Sequence, residues 1–162
     1  MANYSVPLLY GAVGNAYKTA GFLWVLTTLR RLQVYEAEFG QTGSYASTDV
    51  SCQWDLSRAA TPTLAIGTLV SANPYDPADT AAVAQFIQNA SAEPTYTSSG
   101  NGLALKNWGI NQRGSYRWRA LDDGDQIIVP GTSGVGIGLR VLSPSGTPFS
   151  QSAVGTISFI ER

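Results

Sequence analysis

Residues 116–141 read YRWRALDDGDQIIVPGTSGVGIGLRV, and this stretch decides the fold. Tyr116, Trp118 and Ala120 alternate with Arg117 and Arg119, the period-two pattern of a strand with one buried and one wet face. Asp122, Asp123, Gly124 and Asp125 then turn the chain, because Asp-Gly tolerates the positive φ of a tight hairpin. The short apolar run Gln126–Val129 stops at Pro130-Gly131. From Val135 the alternation resumes, with Val135, Ile137, Leu139 and Val141 on one face and Gly134, Gly136, Gly138 and Arg140 on the other. Three successive strands are expected. A face paved with glycine lets another backbone approach closely, so Gly134, Gly136 and Gly138 are expected at a contact between subunits, together with the arginine face of Arg117 and Arg119.

The same pattern extends outward in both directions. Asp49–Leu56 alternates cleanly, with Val50, Cys52, Trp54 and Leu56 pointing inward and Asp49, Ser51, Gln53 and Asp55 pointing outward. Ala16–Thr28 holds FLWVLTT, apolar on both faces like a central strand, and Leu29–Phe39 continues as a strand. Ser57–Asp79, with Pro62, Pro74 and Pro77, reads as one long surface loop. Residues 81–90, AAVAQFIQNA, fit helix nearly as well as strand; a short helical turn followed by a strand from about Val83 is expected. Glu93–Ser99, Leu103–Asn111 and the alternating Val154–Glu161 add further strands. About eight to ten short strands, with turn signals roughly every ten residues, predict an all-β chain: a single antiparallel β-sandwich of jelly-roll type. Residues 1–15, extended and interrupted by Pro7, Gly11 and Gly14, read as an N-terminal arm preceding a sandwich over 16–162.

Composition narrows the function. At 162 residues the chain buries about 70% of its unfolded surface without help from metal or disulfide. Charged residues are only 13% of it and the net charge is −1, so no broad attraction to nucleic acid or membrane is expected. Its one cysteine, Cys52, has no internal partner and reads as a small buried residue. The start MANYSVPLLYG has neither a basic opening nor a long apolar run, so no signal peptide is expected, and Gly21–Leu26 is too short to span a bilayer. Synthesis in the cytoplasm follows as the expectation.

Histidine is absent, which removes the Ser-His-Asp and Cys-His arrangements and the commonest zinc ligand together. GAVGNAYKT at 11–19 has Tyr17 where a phosphate loop requires glycine before the lysine. Asp122, Asp123 and Asp125 form the sharpest metal candidate, an oxygen-rich calcium site, against the plainer reading of a solvated turn. The same carboxylates, adjacent in a turn, point apart and do not make a glycosidase pair. Trp54 and Trp118 share the apolar phase of their strands and read as core rather than as a sugar platform. Lys18 and Lys106 apart, the ten basic residues are all arginine, the cation favoured at interfaces. No enzyme and no cofactor are expected.

Taken whole, the chain resembles the small jelly-roll decoration, or cement, proteins of tailed-bacteriophage capsids. The likeness runs through YSVPLLYG at 4–11, LRRLQVYEAEFGQT at 29–42 and NPYDPADTAAV at 73–83. It continues through WRALDDGDQIIVPGTSGVGIGLRV at 118–141 and the closing SAVGTISFIER at 152–162. It rests on pattern and local phrasing, and it transfers no functional residue. The resemblance implies a virion protein on the outer capsid surface, commonly a homotrimer, that clamps neighbouring copies of the major capsid protein against internal DNA pressure. In that setting Val6, Leu8, Leu9 and Tyr10 of the arm become the expected attachment to the capsid protein. The alternative is a carbohydrate- or receptor-binding sandwich module of a head fibre or tail appendage.

Overall fold

A computed structural model describes residues 2–25, 30–45, 49–60, 67–96, 104–131, 135–143 and 151–162. Among these residues there is no helix. The strands are β1 (Asn3–Ala12), β2 (Lys18–Val25), β3 (Leu32–Thr42), β4 (Ser51–Ala60), β5 (Thr68–Val70), β6 (Asn73–Pro74), β7 (Ala84–Gln88), β8 (Lys106–Asn111), β9 (Ser115–Arg119), β10 (Ile127–Val129), β11 (Val135–Leu142) and β12 (Ser152–Glu161).

Their pairing has a mirror. β1 pairs with β12, β2 with β11, β3 with β9 and β10, and β4 with β8, every pair antiparallel. The chain is therefore one long hairpin, folded at the connection from β4 to β8. Rolling that hairpin brings β12 beside β3 and β11 beside β4. Two sheets result: β10-β3-β12-β1-β6, with β9 also on β3, and β5-β7-β2-β11-β4-β8. This is a jelly roll, as the strand count and alternation predict. The segment at the hairpin's tip carries β5, β6 and β7, which return to the far edges beside β2 and β1. The stretch read as one long surface loop is thus partly strand.

Period two accounts for the core between the sheets. Val6, Val34, Phe39, Trp54, Ile137, Leu139 and Phe159 are all fully buried there. Phe39 and Trp54, from opposite sheets, meet with ring centroids 4.8 Å apart. Residues 84–88 are strand with no preceding helical turn; Phe86 faces the core while Ile87 joins a second apolar cluster with Phe22, Trp24 and Ala59. Burial on both faces erases the alternation there, so periodicity alone did not separate strand from helix.

Two expectations need correction. The N-terminal arm is strand β1, paired along its length with β12 and near its start with β6. Val6 and Leu8 lie in the core, Tyr10 is half-buried against it, and only Leu9 of the four faces outward. Pro7 is accommodated because β6 covers only Tyr4 and Ser5, leaving the rest of that side of β1 an edge among the described residues. Nor do β9 and β10 form a hairpin. Both lie along β3, separated by an excursion over 120–126, and Gly124 does not adopt positive φ.

Deleting residues 2–12 is therefore expected to abolish the fold rather than expose a stable sandwich. Loss of the cooperative thermal transition checks this; a truncated protein that still melts cooperatively near the full-length temperature would refute it.

Candidate functional site

β11 is buried on both faces. Gly136 is covered by Phe22 and the Leu23 carbonyl, and Gly138 by the Tyr96 ring, so a side chain at either position would collide with this chain's own atoms. The close approach expected of these glycines is real, but it is intramolecular and leaves Gly136 and Gly138 out of any subunit contact. Gly134 lies outside the described residues.

Next along that face, Arg140 is clamped. Its Nε donates to Asp55 Oδ1 at 2.8 Å, and Nη2 donates to Asp55 Oδ2 at 2.7 Å and to Ser57 Oγ at 3.1 Å. The Tyr17 and Tyr96 rings flank the guanidinium, 4.6 and 4.3 Å from its carbon. Asp55 is 1% exposed, although strand phase alone places it on the wet face. Tyr96 is in turn hydrogen-bonded to Thr19 Oγ1 at 2.6 Å, and Glu93 accepts from the Thr19 amide and hydroxyl. Burial, above all, raises the Tyr96 pKa, and the Glu93 and Asp55 carboxylates add to the rise. These groups satisfy one another, so the cluster pins residues 93–96 across the sheet; its chemistry is spent on structure.

The open end of the sandwich differs. Among the described residues β8 is flanked by β4 alone and β9 by β3 alone, so both sheets end side by side there. Trp108 of β8, Tyr116 of β9 and Phe39 of β3 form a chain of rings with centroids 4.9–5.9 Å apart. Tyr116 is 41% exposed. Arg117 and Arg119 project from β9 as the alternation predicts. Arg117 donates to Glu36 at 2.8 Å, which raises its pKa, and Arg119 lies 3.9 Å from the same carboxylate. Arg113 lies over the Tyr45 ring and pairs with Asp49 at 3.1 Å.

Beyond Arg119 the excursion builds a cleft. The Asp122 carboxylate accepts from the Gly124 and Asp125 amides at 2.7 and 3.1 Å, capping the turn, and Asp123 accepts from Gln126 Nε2 at 2.9 Å. Asp122, Asp123 and Asp125 do not converge, and no cluster of three metal-ligating side chains occurs among the described residues. The turn forms one wall of an open cleft of about 500 Å³; Tyr35, Tyr75, Asn3 and Ile160 complete it. Sequence reasoning missed Tyr35 and Tyr75. Tyr35 is the extra residue of a bulge in β3, which opposes Ser158 and Phe159 with Glu36 and Val34, and a bulge breaks the very alternation used to assign faces.

No protein-family model, curated protein or solved structure matches this chain. The reading of its surfaces rests on its own residues.

Two outcomes follow from the buried cluster. Asp55→Asn strands a buried guanidinium and is expected to cost about 3–5 kcal/mol. Trp54→Ala opens a core cavity and should cost a similar amount, about 3–5 kcal/mol. Urea unfolding of both variants checks this; a loss under about 1 kcal/mol at Asp55 would mark a solvated strand face instead. Because Tyr96 is held protonated in the fold, its contribution is complete below the ordinary tyrosine pKa near 10 and is lost as pH rises past it. Alkaline unfolding followed by tyrosinate absorbance should begin above that pH, and earlier in an Arg140→Met variant.

Proposed function

We propose that this chain is a structural, non-enzymatic decoration protein of a phage capsid, seated on the outer surface and stabilising contacts between major capsid proteins. The observation that carries this reading is the open end of the sandwich. There, two edge strands carry aromatic rings and arginines, the residues enriched at protein interfaces. Among the described residues this edge has no further strand along β8 and β9, so it offers backbone groups to a strand of a partner, while Arg117 and Tyr116 supply side-chain specificity. A second copy of the chain is a further partner for such an edge, in keeping with the homotrimer that the resemblance implies. The low net charge agrees with a contact made by shape and hydrogen bonding rather than long-range attraction. The attachment is assigned to this edge and not to β1, whose Val6 and Leu8 are already committed to the core.

The purified protein is expected to co-sediment with capsids of its virus stripped of their decoration. Replacing Tyr116 and Arg117 together with alanine should weaken that binding by at least about tenfold, the effect of removing one hot spot, while the melting temperature stays within a few degrees. A protein that remains in the supernatant at every concentration would sink the proposal.

A further inference from the structure

We propose that the cleft between Tyr35, Tyr75 and the 120–126 excursion binds a neutral saccharide. Three departures from a regular jelly roll meet at this one place. The bulge in β3 places Tyr35 out of register. β9 breaks off at Arg119, and the chain returns to β3 only at Ile127. The two-residue strand β6 on the opposite edge leads directly to Tyr75, whose amide donates to the Asn3 carbonyl at 2.9 Å. Regular strands would leave this face flat; the irregularities hollow it to about 500 Å³, within the range of small-ligand sites.

The lining selects the ligand class. Two tyrosines offer apolar ring faces against which the C–H-rich face of a pyranose can lie. The Tyr75 hydroxyl shares a hydrogen bond with Ser158 Oγ at 2.9 Å, so this ring is positioned before any ligand arrives. Asn3, Asp123, Gln126 and Arg119 add planar polar groups, suited to pairs of adjacent hydroxyls. Gln126 Nε2 donates to Asp123, and its buried Oε1 accepts no hydrogen bond among the described residues. Charge argues against an anion. Among the described residues the lining has one cation, Arg119, which sits beside Glu36 and shares the cleft with Asp122 and Asp123. A phosphorylated, sulfated or carboxylated sugar would meet at least as much negative charge as positive, and a neutral one meets no net penalty. The inference does not rest on capsid attachment, since the cleft lies on the outer face of one sheet and the β8–β9 edge lies at the end of both.

A glycan array probed with the full-length protein, followed by calorimetric titration with the free neutral sugars that score, tests this. Retention of at least one neutral glycan is expected. Tyr75→Ala and Gln126→Ala, each shown by circular dichroism to keep the strand signal, should weaken binding at least about tenfold, a loss of about 1.4 kcal/mol. Arg113→Ala, outside the cleft, should leave it unchanged. Tyr75→Phe guards against a merely structural effect and should retain most of the affinity, because the ring face remains. An array with no neutral glycan bound, preference for anionic glycans, or wild-type affinity in Tyr75→Ala would each overturn the proposal. Capsid co-sedimentation is measured without sugar, so failure there leaves this result standing, and the reverse.

Discussion

The ladder between the first and last strands holds this molecule closed. β12 lies between β1 and β3, and its pairing with each runs nearly its full length. Remove it and one sheet separates into β1 with the short β6, and β3 with β9 and β10. All the other mirror pairs can form as a growing hairpin, but this one joins the far ends of the chain. The inward residues of β1 and β12 meet on the same sheet face, Tyr4 stacking on Phe159 with centroids 5.6 Å apart. Backbone pairing and core packing therefore depend on the same register.

On the opposite sheet the constraint is of another kind. A two-layer sandwich ordinarily leaves its outer faces wet, with polar residues alternating outward. Here the outer face around β11 is dry. Glycine at 136 and 138 makes room for aromatic rings, and the Arg140–Asp55 pair satisfies its own charges beneath Tyr17 and Tyr96. A buried ion pair of this geometry adds little net stability over a well-packed apolar pair, yet either member alone is costly. Its effect is to fix how residues 93–96 lie across the sheet.

How much of this was legible in the sequence can be traced residue by residue. Alternation correctly assigned Cys52, Trp54, Ile137, Leu139 and Phe159 to the core, and with them the fold class, because period two reports directly which face a side chain takes. It reports nothing about what covers that face. Asp55 and Arg140 therefore looked solvated, and the glycines looked like an intersubunit surface. The opposite error occurred at β1, where Pro7, Gly11 and Gly14 suggested an extended arm outside the sandwich although the proline sits beside an open edge among the described residues. The Asp-rich turn was legible as a turn, but its partners were not: strands that neighbour in sequence, β9 and β10, share β3 rather than each other. The cleft was the least visible feature, because Tyr35 and Tyr75 come together only through a bulge and a two-residue strand.

The mirror pairing also has a consequence for biosynthesis. β1 leaves the ribosome first, and its principal partner β12 is made some 150 residues later. At about 5–20 residues per second, β1 waits on the order of ten seconds as an unpaired strand. An apolar strand left open for that long is an invitation to neighbouring nascent chains. Pro7 interrupts its run of backbone donors, and Asn3 and Ser5 keep part of it polar. The proline that disguises β1 in the sequence is thus well placed to keep it unclaimed until β12 arrives.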